Sequence, residues 1–196
     1  MRHQASRHNP SAVLAIAMAL IASGTAAADT YTVDPVHSNT IFRVRHLNIG
    51  YIYGRFNQAA GTFLIDSADP TKSTFNITVK TESIDTHNAK RDNHLKSPDF
   101  FNARQFPEIT FKSTKVKSVD EHTLAVTGDL TCHGVTKSVT INVELTGEGN
   151  DPWGNYRAGL ETVFTLKRSD FGMNFMMGPL GDDIKLMVAV EGIRKK

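Results

Sequence analysis

Val139, Ile141, Val143 and Leu145 alternate with Ser138, Thr140, Asn142 and Glu144. An apolar period of two is what a strand with one buried face demands, because successive side chains leave the sheet on opposite sides. The same period returns along the chain. Phe42, Val44 and His46 alternate with Ile41, Arg43 and Arg45, and Phe75, Ile77 and Val79 with Asn76, Thr78 and Lys80. Ala158, Leu160, Thr162, Phe164 and Leu166 form the inward set of another segment, and Ile184, Leu186, Val188 and Val190 that of the last. Less regular stretches at 31–33, 62–66 (carrying Phe63), 109–119 (carrying Phe111) and 123–130 bring the expected total to eight or nine strands.

These segments follow one another across turns such as Ala68-Asp69-Pro70 and Asp151-Pro152, without helices of ten residues between them. Parallel pairing needs such crossovers, so the sheet is expected to be antiparallel and the chain all-β. Closing eight strands into a single barrel removes the exposed edges, and a barrel of roughly eight strands is just wide enough to hold one small ligand. A two-sheet sandwich satisfies the same alternation.

One stretch departs from the pattern. Residues 81–107 carry a dense mixed-charge cluster, an adjacent Phe100-Phe101 pair and helix-start signals, so one or two short helices are expected within 86–106. Ser97-Pro98-Asp99 reads as a start, with Ser97 as N-cap, Pro98 in the first helical position and Asp99 complementing the dipole. Such a turn lies over one end of a barrel. Phe100 and Phe101 cannot both face one core from a helical turn, which leaves one of them for a cavity or a partner.

Residues 1–28 read as a cleaved export signal. Arg2 and Arg7 precede an unbroken apolar run at 12–22, and Ala26-Ala27-Ala28 offers a small-residue cleavage site. The run is shorter than the roughly 20 residues that span a bilayer. Residues 29–196 then form one soluble, exported domain, periplasmic in a bacterium, with no integral membrane segment. Setting aside Arg2 and Arg7 leaves 20 basic residues against 20 acidic ones, so the charge of +2 belongs to the signal. Balanced charge gives no footing for nucleic acid as a partner. Cys132 is the single cysteine, so no intrachain disulfide forms.

Asp85, His87, Arg91, Asp92, His94 and Asp99 crowd into fifteen residues and raise an acid-base or metal site. His87 and His94 stand seven apart, unlike the i, i+4 pair of a helical zinc site, so caps and ion pairs are the better account and no metal site is expected. Cys132-His133 lacks a base assured to lie within reach, and His46 on an apolar face reads as a satisfied core histidine. The loop Phe171 to Leu180, FGMNFMMGPL, holds Met173 and Met176, flexible side chains that suit an irregular apolar guest as well as an ordinary plug. No phosphate loop or Gly-x-Ser-x-Gly elbow is present.

The succession Val44-Arg45-His46, Gly54-Arg55-Phe56, Arg91-Asp92-x-His94-Leu95-x-Ser97-x-Asp99-Phe100-Phe101, Pro107-x-Ile109-Thr110-Phe111, Gly128-Asp129-Leu130-Thr131, Gly134-Val135-Thr136-Lys137 and Arg168-x-Asp170-Phe171-Gly172 resembles the YceI family over essentially all of residues 29–196. The resemblance implies an exported, lipocalin-like eight-stranded barrel. Its apolar tunnel would hold a long isoprenoid-type lipid, a polyisoprenoid or isoprenoid quinone, non-covalently and without a covalent cofactor, for transport or storage. Barrel-inward and mouth residues would contact the lipid: Phe42, Val44, His46, Phe63, Phe75, Ile77, Val79, Phe100, Phe101, Phe111, Leu160, Phe164, Phe171, Met173 and Met176. No catalytic role carries over. At roughly 0.8 kcal/mol per buried CH₂, a few isoprene units exceed the practical ceiling of about −18 to −21 kcal/mol, so ordering of the chain offsets much of the gain. Release then calls for mobile lids, with Phe100-Phe101 and the 173–177 loop as candidates. Two other readings stay open: an enzyme acting on such a lipid through Arg91, Asp92 and His94, and a metal-binding or stress-response module. Pairing of the barrel with a second copy is left open as well.

Overall fold

The computed structural model describes residues 28–195, so the export signal expected over 1–28 lies almost wholly outside the described residues. Eleven strands form one antiparallel sheet. They are β1 (Asp29–Val33), β2 (Asn39–His46), β3 (Gly50–Phe56), β4 (Ala59–Ile65), β5 (Thr74–Lys80), β6 (Ile84–Asp85), β7 (Glu108–Ser118), β8 (Thr123–Cys132), β9 (Val135–Asn150), β10 (Tyr156–Lys167) and β11 (Leu180–Arg194).

Eleven exceeds the expected eight or nine because three staves of the barrel are each broken in two. β11 pairs with β1 through Tyr31↔Arg194 and with β2 through Val188↔Thr40, so β1 and β2 are successive halves of one stave. β4 pairs with β1, and β3 with β2, which makes β3 and β4 the halves of the next. β5 and β6 are likewise the halves of the third, paired to β4 and β3. With β7 to β11 continuous, the result is a closed, eight-stave, up-and-down antiparallel barrel. Two of the three breaks have an evident local cause. Pro35 lacks an N–H for the ladder, and Asp34 turns the chain by accepting from the Val36 N–H and the His37 ring. Thr81–Ser83 forms a 3-10 turn between β5 and β6.

Between β6 and β7 lies the single α-helix of the described residues, α1 (Ala89–Lys96), inside the expected 86–106 window. Its N-cap is Asn88, whose side chain accepts from the Arg91 N–H at 3.0 Å. Ser97 caps the opposite end, in extended conformation. The expected start at Ser97-Pro98 is therefore a stop: a residue before proline is driven out of the helical region, which ends α1 at Lys96. The following turns are tied back by Phe101 N–H to Leu95 O and Ala103 N–H to Lys96 O. Thr81 clamps the far end, its N–H on Pro107 O and its hydroxyl on Phe106 O.

Apolar side chains inside the barrel divide by height. Away from α1, Tyr31, Phe63 and Phe75 stack at centroid distances of 5.0 and 6.5 Å and pack with Val116, Val126 and Val143 into a solid plug. Toward the α1 end, Phe42, Phe56, Val79 and Ile84 form one wall cluster, and Leu130, Cys132, Phe171 and Met173 another.

Candidate functional site

Above the plug the barrel encloses a cavity of about 230 Å³. Twelve of the fifteen residues expected to meet a ligand line it. Phe75, Ile77, Phe111, Leu160 and Phe164 form its floor, against the plug. Phe42, Val44 and Val79 belong to the wall, and Phe101, Phe171 and Met173 approach from the α1 end, joined there by Phe100. The three that do not line it fail for different reasons. Phe63 points inward but sits one level lower, 1% exposed between Tyr31 and Phe75. His46 ends β2 opposite Leu180 and Gly50, beyond the cavity. Met176 stands 43% exposed on the outside of its loop.

Both members of the Phe100-Phe101 pair reach the cavity, because they lie in turns after α1 and not in a helix. Phe101 meets Phe56 edge to face at 5.5 Å. Phe100 is buried between His94 and Phe175, at 5.0 and 5.3 Å. Residues that sequence reasoning left out also line the cavity: Phe56, Leu95, Ile109, Leu130, Cys132, Ile141 and Leu186 among them. For all but Leu95, which sits on α1, the signal was the alternation itself, carried by the inward set of each stave. Cys132, the last residue of β8, has its thiol pushed up to about 12 by burial, which makes it a small apolar wall group and not a nucleophile.

Polar groups are few. Thr162 Oγ1, on the cavity-lining side of β10, is the one buried side-chain polar atom without a hydrogen-bond partner among the described residues. Arg168 lines the α1 end and is 4% exposed, but four of its N–H groups are committed to backbone oxygens of Met173, Phe175, Leu180 and Gly181. Burial pushes its pKa down, with Asp182 opposing. Arg168 thus holds the 172–181 segment across the barrel end.

Arg91, Asp92 and His94, the acid-base set of the alternative enzyme reading, do not line the cavity. Arg91 donates to the Thr86 hydroxyl and carbonyl oxygens, and Asp92 accepts from the Thr86 N–H and hydroxyl. The His94 ring meets Asp99 at 2.9 Å on the surface. Arg91 and Asp92 fasten α1 to the end of β6, and His94 ties it to the turn that follows. Among the described residues one trio has metal-ligand types within reach, Asp34, His37 and Glu191. A guanidinium already stands among them: Arg157 Nη1 donates to Asp34 at 2.7 Å and to Glu191 at 2.6 Å.

The family described as YceI-like domain matches residues 31–192. A UPF0312 protein of Pseudomonas paraeruginosa is 45% identical over 186 residues, covering 94% of this chain and 97% of that protein. Among solved structures, BcnA of Burkholderia cenocepacia superposes with a TM-score of 0.74 at 21% identity, over 81% of this chain and 98% of that one. A polyisoprenoid binding domain from Saccharophagus degradans, implicated in plant cell wall breakdown, gives 0.63 at 14% identity over 84% and 98%. The last two speak to the fold. Taken with the match along 31–192, the near-full-length identity establishes that this chain belongs to the YceI family.

Proposed function

We propose that this chain is an exported binding protein that holds a long isoprenoid-type lipid, a polyisoprenoid or isoprenoid quinone, inside its barrel for transport or storage. The observation that carries this reading is the composition of the cavity wall: aromatic and aliphatic side chains from all eight staves, with four of the five N–H groups of Arg168 already committed to backbone oxygens. Such a wall stabilises a hydrocarbon through burial and discriminates weakly by head group. Thr162 Oγ1, the one buried side-chain polar atom without a partner among the described residues, is suited to a single oxygen on the guest. The neighbour described as a polyisoprenoid binding domain supports the same ligand class. A chain of many isoprene units requires the α1 end to part, and that end is closed by turns and a loop instead of paired strands. An N-terminal signal of the expected kind would place the protein in the periplasm.

Native mass spectrometry of the purified protein, with and without prior organic extraction, tests the proposal. The expected result is an extractable apolar ligand at one per chain, and rebinding of a prenylated quinone after stripping. Protein that carries no lipid and takes up none would overturn it.

A further inference from the structure

The outside of the α1 end carries apolar side chains that the barrel does not use. In the β2–β3 turn Ile49 is 87% exposed and Leu47 48%, and in the loop before β11 Met176 and Met177 are 43% and 44% exposed. The two loops are one surface, since the Leu47 N–H donates to Pro179 O at 2.6 Å and His46 pairs with Leu180. Leu47 and Met176 hold left-handed φ values of 51° and 53°, a conformation that favours glycine and costs a side-chain-bearing residue. Water thus meets apolar groups in turns where polar or glycine residues are ordinarily found. This apolar rim is continuous with the cavity: Met173 and Leu180 of the same loop line it.

Directly behind the rim the outer face carries three cations beside one exposed carboxylate, Asp183 of β11. Arg43 and Arg45 leave the outward side of β2, their guanidinium carbons 4.1 and 5.9 Å from the centroid of the half-exposed Tyr51 ring. Lys185 stands beside Arg43 across the β11–β2 ladder. None of the three forms an ion pair with a described residue. Arg45 also donates to the Asn48 carbonyl oxygen at 2.8 Å, inside the apolar turn. Apolar tips ahead of cations without carboxylate partners, with a tyrosine between, match the order of a bilayer surface: acyl boundary below, aromatic-preferring interface, anionic head groups above.

We infer that the rim formed by the 47–49 turn and the 175–177 loop docks on a membrane surface containing anionic lipid, with Arg43, Arg45 and Lys185 against the head groups. Docking there sets the α1 end of the cavity against the acyl layer, so that an apolar guest passes between protein and bilayer without crossing water. The inference rests on the lipid-binding reading of the cavity, but it concerns the outer surface alone.

Co-sedimentation with vesicles of phosphatidylcholine alone, and of phosphatidylcholine with 30% phosphatidylglycerol, tests it, with cavity occupancy followed in parallel by the apolar fluorophore N-phenyl-1-naphthylamine. The expected result is binding to the anionic vesicles that weakens in high salt. Replacing Arg43 and Arg45 by glutamine lowers it about 25-fold, roughly fivefold for each cation. Ile49→Asp with Met177→Asp lowers it tenfold or more. Fluorophore binding stays at wild-type level in both variants, which shows that the barrel is folded. Wild-type protein that remains in the supernatant with anionic vesicles, or variants that sediment as the wild type does, would overturn the docking site while leaving the cavity reading in place. Failure of the wild type to take up the fluorophore counts against the cavity reading and not against docking.

Discussion

Gly54 shows how one atom shapes the cavity. A Cβ on Gly54 would lie 2.3 Å from Phe42 Cζ and 2.7 Å from Thr86 Cγ2, so the Phe42 ring rests on bare backbone. Gly54→Ala is expected to cost about 1–3 kcal/mol through overpacking, and thermal unfolding should drop by about 2–4 °C for each kcal/mol in a domain of this size. Adding Phe42→Leu should restore part of the loss. An unchanged melting temperature would mean that Phe42 turns freely into the cavity. The Gly-Arg-Phe motif was legible in the sequence, but its reason was not: Phe42 and Gly54 meet only through the β2–β3 register. Phe63 makes the same point from the other side. Alternation tells which face a residue takes, and it was right that Phe63 points inward. Height along the barrel is set by stagger between staves, and there Phe63 falls into the plug.

At the scale of elements, the staves were readable because each is a repeated local pattern, whereas the segment between β6 and β7 was only half readable. The helix was expected in the right window, but a cap-forming serine followed by proline serves equally as an end, and Asn88 nine residues upstream decides the matter. Arg168 was invisible as a brace, since its four acceptors are carbonyl oxygens that no residue type announces. Arg168→Lys keeps the charge but cannot span four oxygens with one ammonium group. It should destabilise the fold by about 1–3 kcal/mol and, measured by amide hydrogen exchange, speed exchange across 172–181 more than across β8 and β9. Uniform acceleration over all strands would contradict a bracing role specific to that segment.

For the molecule as a whole, acid stability is governed by a network no sequence spacing reveals. Arg157 joins Asp34 in the β1–β2 break, Asp151 in the β9–β10 turn and Glu191 in β11, at 2.7, 2.6 and 2.6 Å. The Arg157 hydrogen bond, followed by that of His37, holds the Asp34 carboxyl well below the usual carboxylate range. At Asp151 burial pushes upward, but Arg157, Asn155 and two backbone N–H groups outweigh it and the net direction is again down. Both carboxyls titrate near about 3.9 in the unfolded chain, so on acidification the unfolded state takes up protons first. Their contribution is complete above the unfolded value and declines as pH falls from about 5 through it. Urea midpoints measured from pH 7 to pH 3 should therefore fall steeply below pH 5, and less steeply in Asp34→Asn. Parallel profiles for the two proteins would refute the assignment.

Seven of the eight seams of the barrel join staves that are neighbours along the chain, and only the pairing of β11 with β1 and β2 does not. Order of synthesis then matters. As the polypeptide emerges, β1 to β10 can assemble a curved but gaping sheet, apolar on its concave side and unpaired along both margins. The last fifteen-residue strand meets three others at once and turns that trough into a container. The protein therefore has no interior to fill until its final strand is in hand, and until then its two unpaired margins are the places most exposed to mispairing.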